Sequence, residues 1–265
     1  MYSLLKLLNM SDKINMENSN KTSTHKFPPD IPDENDEYYT ELIKQLPLDV
    51  SKLENNLRKC TEKDELIIII ESGALAPPHR MHIGLMEKVK KYFEEKNKIK
   101  KVIGGYIIPS SDKYVRHKLK QDFIPLKHRV NITKILIKNS DWLECLNWDM
   151  AYGEEIKICI DKILKQKFPK INIKSYLVFG IDFYIRTKIK LKSEQVCIYR
   201  PGFDLNDVKK IYTKGLIFVE ENDEDINSTK IRKALRDNDE KKINELMSKD
   251  VVEYIKNNNI FEYNN

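Results

Sequence analysis

The apolar positions of this chain follow two rhythms that alternate from residue 65 almost to the C-terminus. Leu66 to Ile70 are five consecutive apolar residues, mostly β-branched, and read as a short buried strand. Gly73 and the prolines at 77 and 78 end it. Ile83, Met86, Val89 and Phe93 then recur at helical spacing, which predicts an amphipathic helix. KVIGGYIIP at 101–109 reads as a second strand, and SSDKYVRHKLKQDF after it as a cation-rich polar loop over 110–124. Pro125 opens a helix to Lys138, WLECL from Trp142 makes a third strand, and 154–168 is helical. Further strands are predicted at 174–179, 196–199 and 216–219, the first of them ending at Gly180-Ile-Asp182. Helices over 228–236, 240–247 and 251–257 close the chain.

Strands alternating with helices predict an α/β fold, a Rossmann-like parallel sheet with helices on both faces. Parallel strands place ligands at their carboxyl ends. The segments 73–82, 109–118, 180–182 and the one after the sixth strand are therefore expected to converge. Residues 9–36 are rich in Asn, Ser, Asp and Pro without an apolar period and read as a flexible arm. Between Tyr38 and Cys60, Leu42, Ile43, Leu46, Leu48, Val50, Leu53 and Leu57 predict one or two helices broken at Pro47. The chain thus divides into a flexible and helical N-terminal extension at 1–62 and a domain at 63–265. The plain account of 38–60 is an appendage that packs on the domain or joins copies in a homo-oligomer.

Composition narrows the function classes. With 47 basic and 41 acidic residues the net charge is +6, which leans toward anionic ligands but is too mild to imply nucleic acid. The Lys residues of 88–101 are interspersed with Glu94 and Glu95, as on an ordinary solvated face. The four cysteines at 60, 145, 159 and 197 form no Cys-x-x-Cys, and three lie in apolar surroundings, which fits a reduced, intracellular protein of cytoplasm or nucleus. No apolar run reaches the roughly 18 residues of a membrane span, so no membrane partner is expected.

Two stretches carry candidate chemistry. A strand feeding a Gly-containing turn and then a helix start presents free N–H groups and a positive dipole end, and His79 and His82 add imidazole donors at that mouth. A metal pair is the other reading of His-x-x-His, but no further His or Cys stands nearby to complete it. Near the far end, Asp225-Ile-Asn-Ser228-Thr229-Lys230-Ile231-Arg232 forms a second helix start, with Ser228 as N-cap and Arg232 one turn on. The planar fork of Arg suits a phosphate. A capping motif with a surface Arg is the bland alternative, but two such anion sites in one parallel-sheet protein favour a nucleoside triphosphate.

GALAPPHRMH together with INSTKIRKAL resembles the nucleotidyltransferase superfamily of the His-x-x-His type. GGYIIPSSDKY, FIPLKHRVNITKILIKNSDWLECLNWD, Gly180-x-Asp182 and YRPGFD from Tyr199 narrow the resemblance to nicotinamide/nicotinate mononucleotide adenylyltransferases of the eukaryotic kind, over residues 65 to 263. The resemblance implies the nucleotidyltransferase fold and direct adenylyl transfer from ATP to nicotinamide or nicotinate mononucleotide, without a covalent enzyme intermediate. It implies Mg²⁺ or another divalent cation held by the substrate phosphates, with no protein metal ligands. His79, His82 and Arg232 would be catalytic. Gly73, Ala74, His82, Gly180, Asp182, Ser228, Thr229, Lys230 and Arg232 would bind ATP. Leu75, Tyr114, Arg116, Lys118 and Arg200 would bind the mononucleotide.

The chain departs from that pattern in three places. Ala74-Leu-Ala76 replaces the usual Ser-Phe-Asn of the turn, and several extra residues separate Tyr114 from Phe123. Glu154-Glu155 stands where a base-stacking Trp is expected, leaving Tyr152, Phe183 or Tyr184 as substitutes, and Arg186 or Lys188 as a cation for a carboxylated ring. Trp142 and Trp148 fall at strand positions and are expected to be structural. The other readings are an adenylyl- or cytidylyltransferase acting on another phosphorylated acceptor, and an inactive fold-mate that only binds partners.

Overall fold

The computed structural model describes residues 37–96, 99–187, 194–199, 205–206, 216–221 and 226–261. All of these lie in one compact unit spanning Asp33–Asn265. It opens with α1 (Glu37–Leu42), a 3-10 turn and α2 (Ser51–Leu57). Then come β1 (Glu65–Gly73), α3 (Arg80–Lys96), β2 (Lys100–Pro109), α4 (Asp112–Leu119), α5 (Leu126–Leu136), β3 (Leu143–Cys145) and α6 (Gly153–Lys167). The second half holds β4 (Ile173–Gly180), α7 (Ile181–Thr187), β5 (Gln195–Tyr199), β6 (Leu216–Glu220), α8 (Ser228–Arg236), α9 (Glu240–Leu246) and α10 (Lys249–Asn257).

The six strands form one sheet in the order β3-β2-β1-β4-β5-β6, and every neighbouring pair is parallel. This is the doubly wound arrangement expected from the sequence. Its strand order reverses between β1 and β4, the point at which such sheets open a ligand crevice. β1 is central, and Ile67 to Ile70 are fully buried. Each such side chain contributes roughly 1.5–3 kcal/mol by leaving water, so this strand is the sheet's apolar spine. Ile67 and Ile69 face Met86, Val89 and Phe93 of α3 and Val130 of α5. On the other face, α6 packs on β1 and β4, and α2 packs on β2.

The structure differs from the expected elements in two places. The cation-rich segment 110–124 is no loop: it holds α4 and a 3-10 turn at Lys120–Asp122. The hydroxyl of Ser111 caps α4 by accepting from the Tyr114 N–H, a local bond that polar composition hid. A seven-residue helix, α7, follows Gly180 directly. The 37–60 segment docks closely on the domain. Trp148 Nε1 donates to the Pro47 carbonyl at 3.0 Å, Tyr106 Oη to Asp49 O at 3.1 Å, and Lys52 Nζ to Leu143 O at 2.7 Å.

Candidate nucleotide site

Because all six strands are parallel, their carboxyl ends share one rim of the sheet, and the predicted segments meet there. The turn after β1 is its centre. The Gly73 carbonyl accepts from the Ser110 N–H at 2.7 Å, and the Ala74 carbonyl accepts from Arg129 Nη1 at 3.0 Å. With these carbonyls held toward the protein, the N–H groups of the same peptide units, on Ala74 and Leu75, point the opposite way. Leu75 takes φ 44°, and a left-handed residue within such a turn gathers successive N–H groups into an anion-binding concavity. The Leu75 side chain itself is buried in the core at 4% exposure, so a ligand meets its backbone. The Ala76–Pro77 peptide is cis.

α3 begins immediately after this turn. The His79 N–H donates to Nδ1 of His82 at 3.1 Å, and the His82 N–H donates to the His79 carbonyl at 3.0 Å. The two rings lie 3.8 Å apart, tilted by 39°. Part of His82 reaches solvent, yet protein surrounds its ring, and burial pushes the imidazole down to about 4. A neutral imidazole whose Nδ1 accepts must carry its proton on Nε2. His82 is therefore a neutral donor of fixed tautomer.

The second predicted helix start, on α8, comes to the same turn. Ser228 Oγ donates to the Pro77 carbonyl at 3.0 Å, and Arg232 Nη1 donates to the Ala76 carbonyl at 2.7 Å. Arg232 Nη2 donates to Thr229 Oγ1 at 3.2 Å. Ser228 is not the N-cap: Asn227 holds that place and accepts from the Lys230 N–H at 3.0 Å, which frees the Ser228 hydroxyl for the turn. Thr229 and Lys230 are exposed at the mouth, whereas Arg232 is 8% exposed.

The remaining candidates are arranged around this centre. Gly180 ends β4, the strand beside β1, and is open: a Cβ there would meet nothing within 4 Å. Asp182 is exposed in the first turn of α7. Tyr114, Arg116 and Lys118 lie along α4. Arg116 stacks over the Phe123 ring at 3.9 Å, and Lys118 Nζ lies 5.8 Å from the Tyr114 ring. Arg200 and Lys188 fall outside the described residues.

Both tryptophans belong to the framework. Trp142 Nε1 donates to Glu87 at 2.9 Å, and Trp148 is held by Pro47. Tyr184 is fully buried with Ile181 and Cys197 and cannot stack on a ligand. Phe183 stacks on Phe179 at 4.2 Å and Tyr152 is half-buried, so these two remain at the rim. The described residues include no group of three or more His, Cys, Asp or Glu able to cage a metal ion, and no helix among them is long and apolar enough to cross a membrane.

Three contributors went unnoticed in the sequence: Arg129, Asp112 and Asp122. Arg129 is fully buried, and its three donors go to Ile124 O, Ala74 O and Asp112 Oδ1 at 2.8, 3.0 and 2.9 Å. Burial depresses its guanidinium, partly offset by the Asp112 carboxylate. A cationic side chain inside an otherwise periodic helix was the one available signal.

Comparison with known proteins follows the same lines. The family model described as cytidylyltransferase-like matches residues 72–234. Nicotinamide/nicotinic acid mononucleotide adenylyltransferase 1 of Bos taurus is 28% identical over 264 residues, covering 76% of this chain and 90% of that protein. Two structures of Plasmodium falciparum nicotinic acid mononucleotide adenylyltransferase, complexed with APC and with NaAD, superpose with a TM-score of 0.54. At 18% and 19% identity they cover 76% of this chain and 99% of theirs, a likeness of fold.

Proposed function

This chain belongs to the cytidylyltransferase-like family, and on that premise we propose that it transfers the adenylyl group of ATP to nicotinamide or nicotinate mononucleotide, releasing pyrophosphate. The observation that carries this reading is the meeting of the α3 and α8 starts at one turn, through Ser228–Pro77 and Arg232–Ala76. Two helix N-termini, outward N–H groups, an imidazole donor and a guanidinium around one point suit a triphosphate. The Bos taurus relative and the two structures with APC and NaAD are proteins named for this chemistry.

In the proposed reaction an oxygen of the mononucleotide 5′-phosphate attacks the α-phosphorus of ATP. The bond from that phosphorus to the bridging α,β oxygen breaks, and pyrophosphate departs in line. The protein's work is positioning and neutralising charge. The N–H groups of Ala74 and Leu75 and Nε2–H of His82 donate to the triphosphate, with His79 holding Nδ1 of His82. Ser228, Thr229, Lys230 and Arg232 take the β- and γ-phosphates, and Gly180 and Asp182 face the adenosine ribose. The cations of α4 and Arg200 meet the mononucleotide phosphate. This donor set is rich in N–H and hydroxyl groups and offers no metal cage among the described residues, so a divalent cation would be held by the substrate phosphates and would supply further charge neutralisation. Four free thiols, three of them buried, suit a reducing intracellular compartment.

Incubation with Mg-ATP and each mononucleotide should yield dinucleotide and pyrophosphate, and His82→Ala should lower kcat/KM by roughly ten- to a hundred-fold or more, the range for one charge-assisted bond. Retained activity in that variant removes His82 from the mechanism. One observation favours a second reading, adenylyl or cytidylyl transfer to another phosphorylated acceptor: both tryptophans are engaged in the framework, so neither is left to stack on a pyridine ring. Turnover of ATP or CTP without dinucleotide would mark that case.

A further inference from the structure

The extra residues between Tyr114 and Phe123 build a contact that the reaction just described does not use. The chain leaves α4 through Lys120 at φ 51° and enters the 3-10 turn that ends in Asp122. The Asp122 carboxylate reaches across to α8, where Oδ2 accepts from Arg232 Nε at 3.1 Å and Oδ1 pairs with Arg236 Nη1. Its side chain is 19% exposed. Burial pushes this carboxyl up, but the hydrogen bonds and charges of Arg236 and Arg232 outweigh it and hold it below the usual carboxylate range. The carboxylate is therefore ionised across the neutral range. Arg232 is nearly buried and held on two sides, by Asp122 at Nε and by the Ala76 carbonyl at Nη1. Those two anchors fix the plane of the guanidinium and set Nη2 beside the Thr229 hydroxyl at the mouth of α8.

We propose that Asp122 is a positioning residue, which orients Arg232 so that its Nη2 edge meets the outer phosphates of the bound nucleoside triphosphate. The inference rests on Arg232 being a phosphate ligand. An arginine side chain has several rotatable bonds, and holding its fork in advance removes an ordering cost at binding. A carboxylate bound at Nε alone does this without taking up the Nη2 donors. It also ties α4, which carries Tyr114, Arg116 and Lys118, to the helix that receives ATP.

The test uses the full chain, with KM for Mg-ATP, KM for the mononucleotide and kcat measured separately. Binding of a non-hydrolysable ATP analogue without acceptor gives a readout that does not depend on the acceptor's identity. Asp122→Ala should raise KM for Mg-ATP and Kd for the analogue by roughly ten- to a hundred-fold, the range for losing one charge-assisted hydrogen bond. KM for the mononucleotide should stay within about two-fold, below the effect of one hydrogen bond. Asp122→Asn keeps an acceptor oxygen and should fall between, and Asp122→Glu should restore part of the loss. Arg236→Gln, which removes the other partner of Asp122, should leave the ATP constants within about two-fold, as for an exposed ion pair. If Asp122→Ala fails to fold, Asp122→Asn carries the comparison. Unchanged or tighter analogue binding in a folded variant overturns the proposal; tighter binding would mean that the carboxylate competes with phosphate. Weaker analogue binding without dinucleotide formation by the parent chain would uphold Asp122 and reject the mononucleotide reading.

Discussion

Glu71 gives the sharpest stability prediction. Alternation along β1 places it on the face of Ile67 and Ile69, flanked in register by Ile107 of β2 and Val178 of β4. Its Oε2 finds no hydrogen-bond partner among the described residues, and burial pushes the carboxyl up to about 8. The buried Cys145 thiol, raised to about 12 by burial and in lesser part by Glu71, adds no compensating charge. The folded chain thus keeps the carboxyl protonated at a pH where the unfolded chain has ionised it. Stability from this group is fully present below the ordinary value of 4.5 and is lost as pH rises through about 8. Within that window the slope approaches about 1.4 kcal/mol per pH unit, or roughly 3 kcal/mol between pH 5.5 and 7.5. Glu71→Gln keeps the shape and cannot ionise. Urea unfolding at several pH values should therefore show the variant gaining on the parent by roughly that amount over those two units. His82 acts in the opposite sense, since its lowered pKa makes stability fall as pH drops from 6.5 toward 4, but it is common to both chains and cancels in the difference. A variant-minus-parent difference that stays flat with pH would refute the buried, protonated state of Glu71.

Other outcomes follow from contacts already described. Arg232→Ala strands the buried Ala76 carbonyl and should cost roughly 1–3 kcal/mol by denaturant unfolding as well as weakening ATP binding. Arg232→Lys keeps the charge but cannot reach Ala76, Asp122 and Thr229 together, so it should bind ATP at least about tenfold more weakly than the parent; equal affinity would deny the fork a role. Adjacent glycines of β2 should behave differently when changed to alanine. A Cβ at Gly105 would lie 2.5 Å from the Trp142 ring, whereas one at Gly104 would touch Leu53 no closer than 3.5 Å. Thermal unfolding should show Gly105→Ala destabilised by roughly 1–3 kcal/mol or more and Gly104→Ala little changed.

The sequence alone determined the fold class and where the two helices of the candidate site begin. Runs such as Leu66–Ile70 and the spacing of Met86, Val89 and Phe93 are local patterns, and local patterns fix strands, helices and their order. Both helix starts were legible for the same reason, since a Gly-Pro turn before His79 and a Ser-Thr pair before Arg232 are local signals. Tertiary structure decided what those groups touch. The parallel strand order already implied that α8 would come to the turn after β1, but no local pattern could show that Arg129 holds the Ala74 carbonyl from 55 positions away, or that Asp122 lies against Arg232 across 110. Nor could composition reveal that SSDKYVRHKLKQDF is helical, or that Glu71 is buried in β1 with its proton retained. Contacts between distant segments depend on how helices seat on a sheet and exclude water, and burial of that kind keeps both the Glu71 carboxyl and the His82 imidazole neutral.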